Sequence, residues 1–144
     1  MRRFIRQWWP SALTLCAVLY ITLSTDPAGS QSLPPIPYLD KLIHAIMMGG
    51  LSGAFAFDTA RSSKSHSITR RQMLKIVVAV MVFSVADEWA QQTFTQSRSG
   101  EWGDIAADWL GCVVAFFTAP AAVKSCLRRY GKHKKKRMCQ KLKF

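Results

Sequence analysis

Four long apolar stretches, separated by polar segments, set the hydrophobic pattern of this chain. They run over about residues 8–24, 39–57, 73–89 and 105–123. Each has roughly 17–19 residues, close to the minimum that a helix needs to cross a bilayer. None carries the regularly repeating polar face of an amphipathic helix in a soluble bundle. The pattern therefore predicts an all-α integral membrane four-helix bundle.

Composition agrees with this prediction and narrows it. The 144 residues allow one domain, and 49% of them are hydrophobic while 19% are charged, which excludes a disordered chain. The four cysteines lie in or beside apolar segments or in the basic tail, without the spacing of a zinc site. We therefore expect no disulfide scaffold, no metal and no cofactor.

Basic residues are distributed unevenly among the segments that flank the predicted spans. All of the 20 Lys and Arg residues except Lys41 and Arg98 lie before the first span, between the second and third, or after the fourth. Because cytoplasmic segments are enriched in Lys and Arg, this distribution places both termini in the cytoplasm and requires an even number of spans. A cleaved signal peptide at residues 8–24 is the alternative, but it would leave three spans.

The remaining segments are predicted to be loops and a tail. The loop of residues 58–72 is basic and rich in serine, and Ser67 or Thr69 is expected to cap the third helix. The basic tail of residues 124–144 is expected to bind anionic lipid headgroups rather than nucleic acid. Pro120 is expected to kink or end the fourth helix.

Small residues recur at four-residue steps in two of the spans. They are Ala45, Gly49 and Gly53 in the second span and Ala107, Gly111, Ala115 and Ala119 in the fourth. Such ridges let helix backbones approach closely in lipid, so we expect them to face other helices, with each other as the natural pairing. The GxxxG of Gly49 and Gly53 also fits a homodimer face, which leaves the oligomeric state open.

The other polar residues gather at one predicted membrane boundary, opposite the termini. The candidate binding residues are Asp40, Lys41, His44, Glu88, Gln91, Gln92, Arg98, Asp104 and Asp108. Ionisable groups inside a bilayer are disfavoured unless they are paired or hydrated. We therefore expect His44, Glu88 and Asp108 to form a network with Arg98, whose guanidinium can bind two carboxylate oxygens. Ordinary interfacial polarity is the alternative, and it fits Asp40 and Asp104 best.

Two motifs at these positions resemble those of the VanZ-like family of small bacterial membrane proteins. They are DKLIHAIMMGGLSG, residues 40–53, and DEWAQQTFTQSRSGEWGDIAADWLG, residues 87–111. The resemblance covers roughly residues 34–115 and implies that the nine candidate residues and Gly111 are the family's characteristic positions. The segment from Glu88 to Phe94 is one residue longer here, so either Gln91 or Gln92 fills the glutamine position. Two further departures are Gln96-Ser97, where Pro-Gly is common, and Asp108, where many relatives have Asn.

The resemblance also implies a bacterial plasma membrane location and an association with antibiotic resistance, at a low level and against the glycopeptide teicoplanin. The first hypothesis is a non-enzymatic envelope protein whose outer-facing polar pocket binds a glycopeptide or a lipid-linked envelope precursor. The second is an intramembrane enzyme with His44 as general base, although no nucleophilic Ser or Cys stands in a motif at the outer boundary. The third is a small proton-coupled transporter that relays protons through His44, Glu88 and Asp108.

Overall fold

The computed structural model describes residues 2–23, 38–94 and 102–141, and the side chains of residues 7–23, 38–93 and 102–130. Within these ranges the secondary structure is helical, without strands, and the predicted all-α class is confirmed. The helices are α1 Arg2–Leu23, α2 Leu39–Ser62, α3 Arg70–Phe94 and α4 Trp102–Lys141. Even α1, with 22 residues, is about 33 Å long at 1.5 Å per residue.

The helices alternate in direction. Thr22, near the end of α1, contacts Asp87, near the end of α3, and His44, near the start of α2, contacts Asp108, near the start of α4. We call this end of the bundle the Asp108 end. Among the described residues, α2 contacts all three other helices, whereas α4 contacts α2 and α3 but not α1. The third helix also contacts all three others, so α2 and α3 together form the centre of the fold.

Large apolar side chains point away from the bundle. Within the described residues, α2 and α4 are the helices long and apolar enough to cross a membrane, yet only 33% and 28% of their most apolar segments are buried. Leu13 of α1, Val82 of α3 and Phe117 of α4 are 62%, 67% and 72% exposed. In a water-soluble bundle such residues fill the core, so this distribution fits helices that are surrounded by lipid.

The closest helix contact in the described structure joins α2 to α4 through small residues. A Cβ added to Gly111 would lie 2.8 Å from the carbonyl carbon of Ala45 and closer still to its oxygen. A Cβ on Gly49 would lie 3.0 Å from the carbonyl oxygen of Gly111. A Cβ on Gly53 would meet no atom within 4 Å. Gly49 and Gly111 therefore set the α2–α4 distance, while Gly53 lies beyond the contact.

A buried polar cluster fixes α1 to α2 at the opposite end, which we call the Asp58 end. Pro10 lies inside α1, and the backbone N–H and hydroxyl of Ser11 donate to Oδ2 of Asp58 at 3.0 and 2.6 Å. Arg61 donates to the carbonyl oxygen of Gln7, which would ordinarily accept from Ser11, and lies 3.3 Å from Oδ1 of Asp58. Two side chains of α2 thus satisfy the backbone groups that α1 leaves unpaired near its proline.

The ends of α2 and α4 lie beyond the predicted boundaries, and the expected cap of α3 is Thr69. Asp58 was expected in the loop of residues 58–72, but α2 continues to Ser62 and buries Asp58 completely. The fourth helix does not end at Pro120 and continues to Lys141, so residues 124–141 of the basic tail are helical. Thr69 caps α3, because its N–H donates to Oε1 of Gln72 at 2.9 Å and its Oγ1 accepts from the N–H of Gln72 at 3.2 Å.

Replacement of Gly111 by alanine is expected to destabilise the bundle. The added methyl group overlaps the backbone of Ala45, so α2 and α4 must separate, at a cost of about 1–3 kcal/mol in the free energy of unfolding. Gly53→Ala is the matched control, because its methyl group enters open space, and its effect should stay within about 0.5 kcal/mol. Unfolding in detergent, followed by circular dichroism, measures both. Equal effects of the two substitutions would contradict the contact.

Candidate functional site

Two parallel helices begin side by side at the Asp108 end and carry matched pairs of polar residues. Asp40 and His44 are four residues apart in α2, and Asp104 and Asp108 are four apart in α4, so each pair occupies one helix face. Gly111 lies less than one turn beyond Asp108, and its partner Ala45 directly follows His44. The close glycine contact therefore brings the two faces against each other.

The facing residues form an inner pair and a rim pair. Nδ1 of His44 lies 3.1 Å from Oδ1 of Asp108, and the two residues are only 3% and 1% exposed. About one turn toward the end of the bundle, Nζ of Lys41 lies 3.1 Å from Oδ1 of Asp104, and this pair is partly accessible. The inner pair is thus shielded by protein while the rim pair can meet a ligand.

The other two helices supply a second buried polar group. Asp87 of α3 is 4% exposed and accepts hydrogen bonds from Oγ1 of Thr22 at 3.0 Å and from Nε2 of Gln91 at 3.2 Å. Glu88, the next residue, is also buried. Gln92 is exposed, so Gln91 is the glutamine that faces the site.

The structure brings together most of the residues singled out from the sequence. It pairs Lys41 with Asp104 and His44 with Asp108, and it buries Glu88 and Gln91 at the same end. Asp40 is exposed and lies at the rim. Arg98 lies outside the described residues, so its expected place in the network stays a prediction.

Two residues of the site were not identified from the sequence. Asp87 opens the second motif but is not among the candidate binding residues, although its four-residue spacing from Gln91 is visible in the sequence. Thr22 stands in the apolar first span with no motif around it. It enters the site because the end of α1 packs against α3 at the depth of Asp87.

The charges at the Asp108 end are mostly negative. The acidic residues are Asp40, Asp87, Glu88, Asp104 and Asp108, and the described groups of opposite or switchable charge are Lys41 and His44. The first turns of α2 and α4 contain Asp40 and Asp104, where the helix dipole favours carboxylates. This acidic rim favours cationic or amide-rich groups as ligands.

An apolar groove runs along the outer face of α2 and α4 from the acidic rim toward the other end. Its volume is about 670 Å³. It begins at Leu42 and Leu110, passes Gly50 and Gly53, and ends at Val123 and Cys126. Leu42 directly follows Lys41, and Leu110 lies two residues after Asp108, so the groove begins within about one helical turn of the polar residues, which do not themselves line it.

The chemistry available to His44 follows from its contacts. Its hydrogen bond to Asp108 fixes the orientation of the ring, as in a His–carboxylate dyad in which the histidine acts as general base. Ser52 is a residue of α2 with a buried hydroxyl. This hydroxyl donates to the sulfur of Cys112 at 3.7 Å rather than to His44. Within the described residues the site therefore shows an oriented histidine without a nucleophile hydrogen-bonded to it.

Comparison with known proteins adds nothing to this geometry. No protein-family model, no curated protein and no solved structure matches the chain. The VanZ-like resemblance thus depends on the two motifs alone.

Replacement of Gln91 by leucine is expected to destabilise the Asp108 end. Buried Asp87 loses one of its hydrogen-bond donors, which costs about 1–3 kcal/mol of the free energy of unfolding. Gln92→Leu is the matched control, since Gln92 is exposed, and its effect should stay within about 0.5 kcal/mol. Denaturant titration in detergent compares the two. A larger effect at Gln92 would mean that the other glutamine faces the site.

Proposed function

We propose that the chain crosses a bacterial plasma membrane four times, as a protein of VanZ-like type, with both termini in the cytoplasm. Exposed apolar side chains on all four helices support this proposal, and so do the carboxylates that are buried between the helices. The uneven distribution of Lys and Arg supports the orientation. In this arrangement the Asp108 end lies at the extracytoplasmic boundary and the loop after α2 lies in the cytoplasm.

The function proposed for this end is non-enzymatic binding of an amphiphilic ligand from the cell envelope. The ligand class is a lipid-linked envelope precursor or a glycopeptide with an apolar chain, which links the protein to teicoplanin resistance as a hypothesis. The supporting observation is the proximity of the acidic rim to the apolar groove, whose first lining residues Leu42 and Leu110 lie one and two positions after Lys41 and Asp108. A headgroup contacts the rim while its chain follows the groove between α2 and α4.

The two parts of the site contribute differently to binding. Lipid chains are as apolar as the groove. The preference of the groove for one apolar chain over another therefore depends on shape and van der Waals contact rather than on removal of water. Polar contacts at the rim then discriminate among headgroups, because a mismatched headgroup leaves a buried donor or acceptor without a partner. Asp104 and Lys41 are the residues of the rim pair that a headgroup meets first.

Cysteine labelling tests the proposed topology. In a variant without its native cysteines, Tyr38→Cys is placed just before α2 and Ser65→Cys in the turn between α2 and α3. A membrane-impermeant maleimide applied to intact cells should label Tyr38→Cys and leave Ser65→Cys unlabelled. Both should react after the cells are opened. Labelling of both in intact cells, or of Ser65→Cys alone, would contradict the orientation.

Ligand binding tests the proposed function. Purified protein in nanodiscs is titrated with a lipid-linked cell-wall precursor and, separately, with teicoplanin. Gly53→Leu should weaken binding at least tenfold, because its side chain fills the groove at a position where a Cβ touches nothing. Ala17→Leu is the matched control, an exposed position of α1 away from the groove, and should bind like the unmodified protein.

The outcomes separate the competing hypotheses. Binding that is unaffected by Gly53→Leu, or no binding of either ligand, would remove the proposal. Recovery of the ligand in a chemically altered form would instead favour the intramembrane enzyme, for which the His44–Asp108 hydrogen bond is the supporting observation.

A further inference from the structure

Three potential metal ligands converge at the start of α2 and α4. Carboxylate oxygens of Asp40 and Asp104 and a ring nitrogen of His44 all lie within 4.8 Å of one another. Asp40 and His44 share one face of α2, while Asp104 comes from α4. We propose that these residues bind a divalent cation of the zinc type, with one oxygen from each aspartate and Nε2 from His44.

The orientation of His44 is the first argument for this site. Its Nδ1 faces Oδ1 of Asp108 at 3.1 Å, and Asp108 is 1% exposed. Histidines that bind metals ordinarily donate their second ring N–H to a carboxylate, which fixes the tautomer and raises the basicity of the metal-binding nitrogen. In the proposed site Asp108 is therefore a positioning residue that holds Nδ1 and leaves Nε2 for the cation.

The second argument concerns the charge beside His44. The imidazole is only 3% exposed and lies among the carboxylates of Asp40, Asp104 and Asp108. Buried charges are ordinarily paired or coordinate metals. A cation between His44 and the two aspartates would compensate this negative charge.

The ligand set indicates the kind of cation. One imidazole nitrogen and two carboxylate oxygens suit zinc, whereas magnesium and calcium prefer oxygen ligands alone. Zinc held at 2.0–2.2 Å by tetrahedral ligands places them about 3.4 Å apart, so the ligand atoms must approach by about 1 Å. Asp40 is the exposed member of the three and lies at the rim. The fourth position remains for water or for an oxygen of a bound ligand.

Lys41 competes with the cation for Asp104. Its Nζ lies 3.1 Å from Oδ1 of Asp104, and it places a positive charge beside the proposed site. Removal of that charge should strengthen cation binding, provided that Asp104 is a ligand. A purely structural role of the rim pair predicts no such gain.

The test is zinc titration of tag-free protein in detergent, without any lipid ligand, by isothermal calorimetry. His66 and His133 are first replaced by alanine, which leaves His44 as the single histidine of the chain. We expect one zinc per chain and much weaker binding of magnesium. A cobalt complex should show an absorption spectrum of nitrogen and oxygen ligands, without the charge-transfer bands of thiolates.

Substitutions assign the ligands. His44→Ala and Asp40→Asn should each weaken zinc binding at least tenfold, and Asp40→Asn tests the site without altering a buried residue. Asp108→Asn should weaken binding by about 10–100-fold, the usual effect of losing a group that orients a metal-bound histidine. Lys41→Met should bind zinc at least as tightly as the parent protein. Circular dichroism and melting temperature confirm that each variant is folded.

Two results would overturn the proposal: no zinc binding at millimolar concentration, or zinc binding that persists unchanged in both His44→Ala and Asp40→Asn. The proposal does not depend on the amphiphilic ligand, because the titration contains none. A failed zinc titration would not decide the groove experiment, which depends on the difference between Gly53→Leu and Ala17→Leu, and a failed groove experiment would not decide the zinc titration.

Discussion

The close backbone contact between Gly111 of α4 and Ala45 of α2 is the constraint on which the candidate site depends. A side chain at position 111 has no room, because the Ala45 backbone occupies the space of its Cβ. Because the two parallel helices are this close, polar side chains within one turn of the contact can form hydrogen bonds across it, as His44 and Asp108 do. Wider spacing would leave both groups buried without each other, which is far less favourable than burying them as a pair. The small residues of the ridge are therefore required for the polar site beside them.

Both ends of the bundle follow one rule: a buried carboxylate is held by donors from a neighbouring helix. Asp58 accepts two hydrogen bonds from Ser11 of α1, and Asp87 accepts one from Thr22 of α1. In the proposed membrane arrangement no water is available for such groups, so these contacts would join helices that the hydrophobic effect alone does not hold together. They also explain how α1 is fixed at each end, although it makes no contact with α4 in the described structure.

The sequence was sufficient to predict the helices and most residues of the candidate site, and the reasons are physical. Apolar runs define helices in lipid because every backbone group must be bonded within its segment. Helix ends were predicted less accurately, since a charged residue such as Asp58 can stay inside a helix when a neighbouring helix supplies its hydrogen-bond donors. The choice between Gln91 and Gln92 depends on a rotation of 100° about the α3 axis, which no motif resolves. Thr22 enters the site only through a contact between distant segments, so spacing along the chain does not reveal it.

The proposed cation would change which ligands the acidic rim accepts. Without it, Asp40, Asp104 and the buried acids beside them repel phosphate groups, and the rim favours cationic or amide-rich headgroups. A divalent cation at Asp40, His44 and Asp104 supplies two positive charges and an open position at the start of the groove. Phosphate oxygens are suitable ligands for that position, so a lipid with a phosphate-linked headgroup would then fit the same geometry. The identity of the headgroup and the occupancy of the cation site are therefore coupled, while the groove between α2 and α4 serves the apolar chain in both cases.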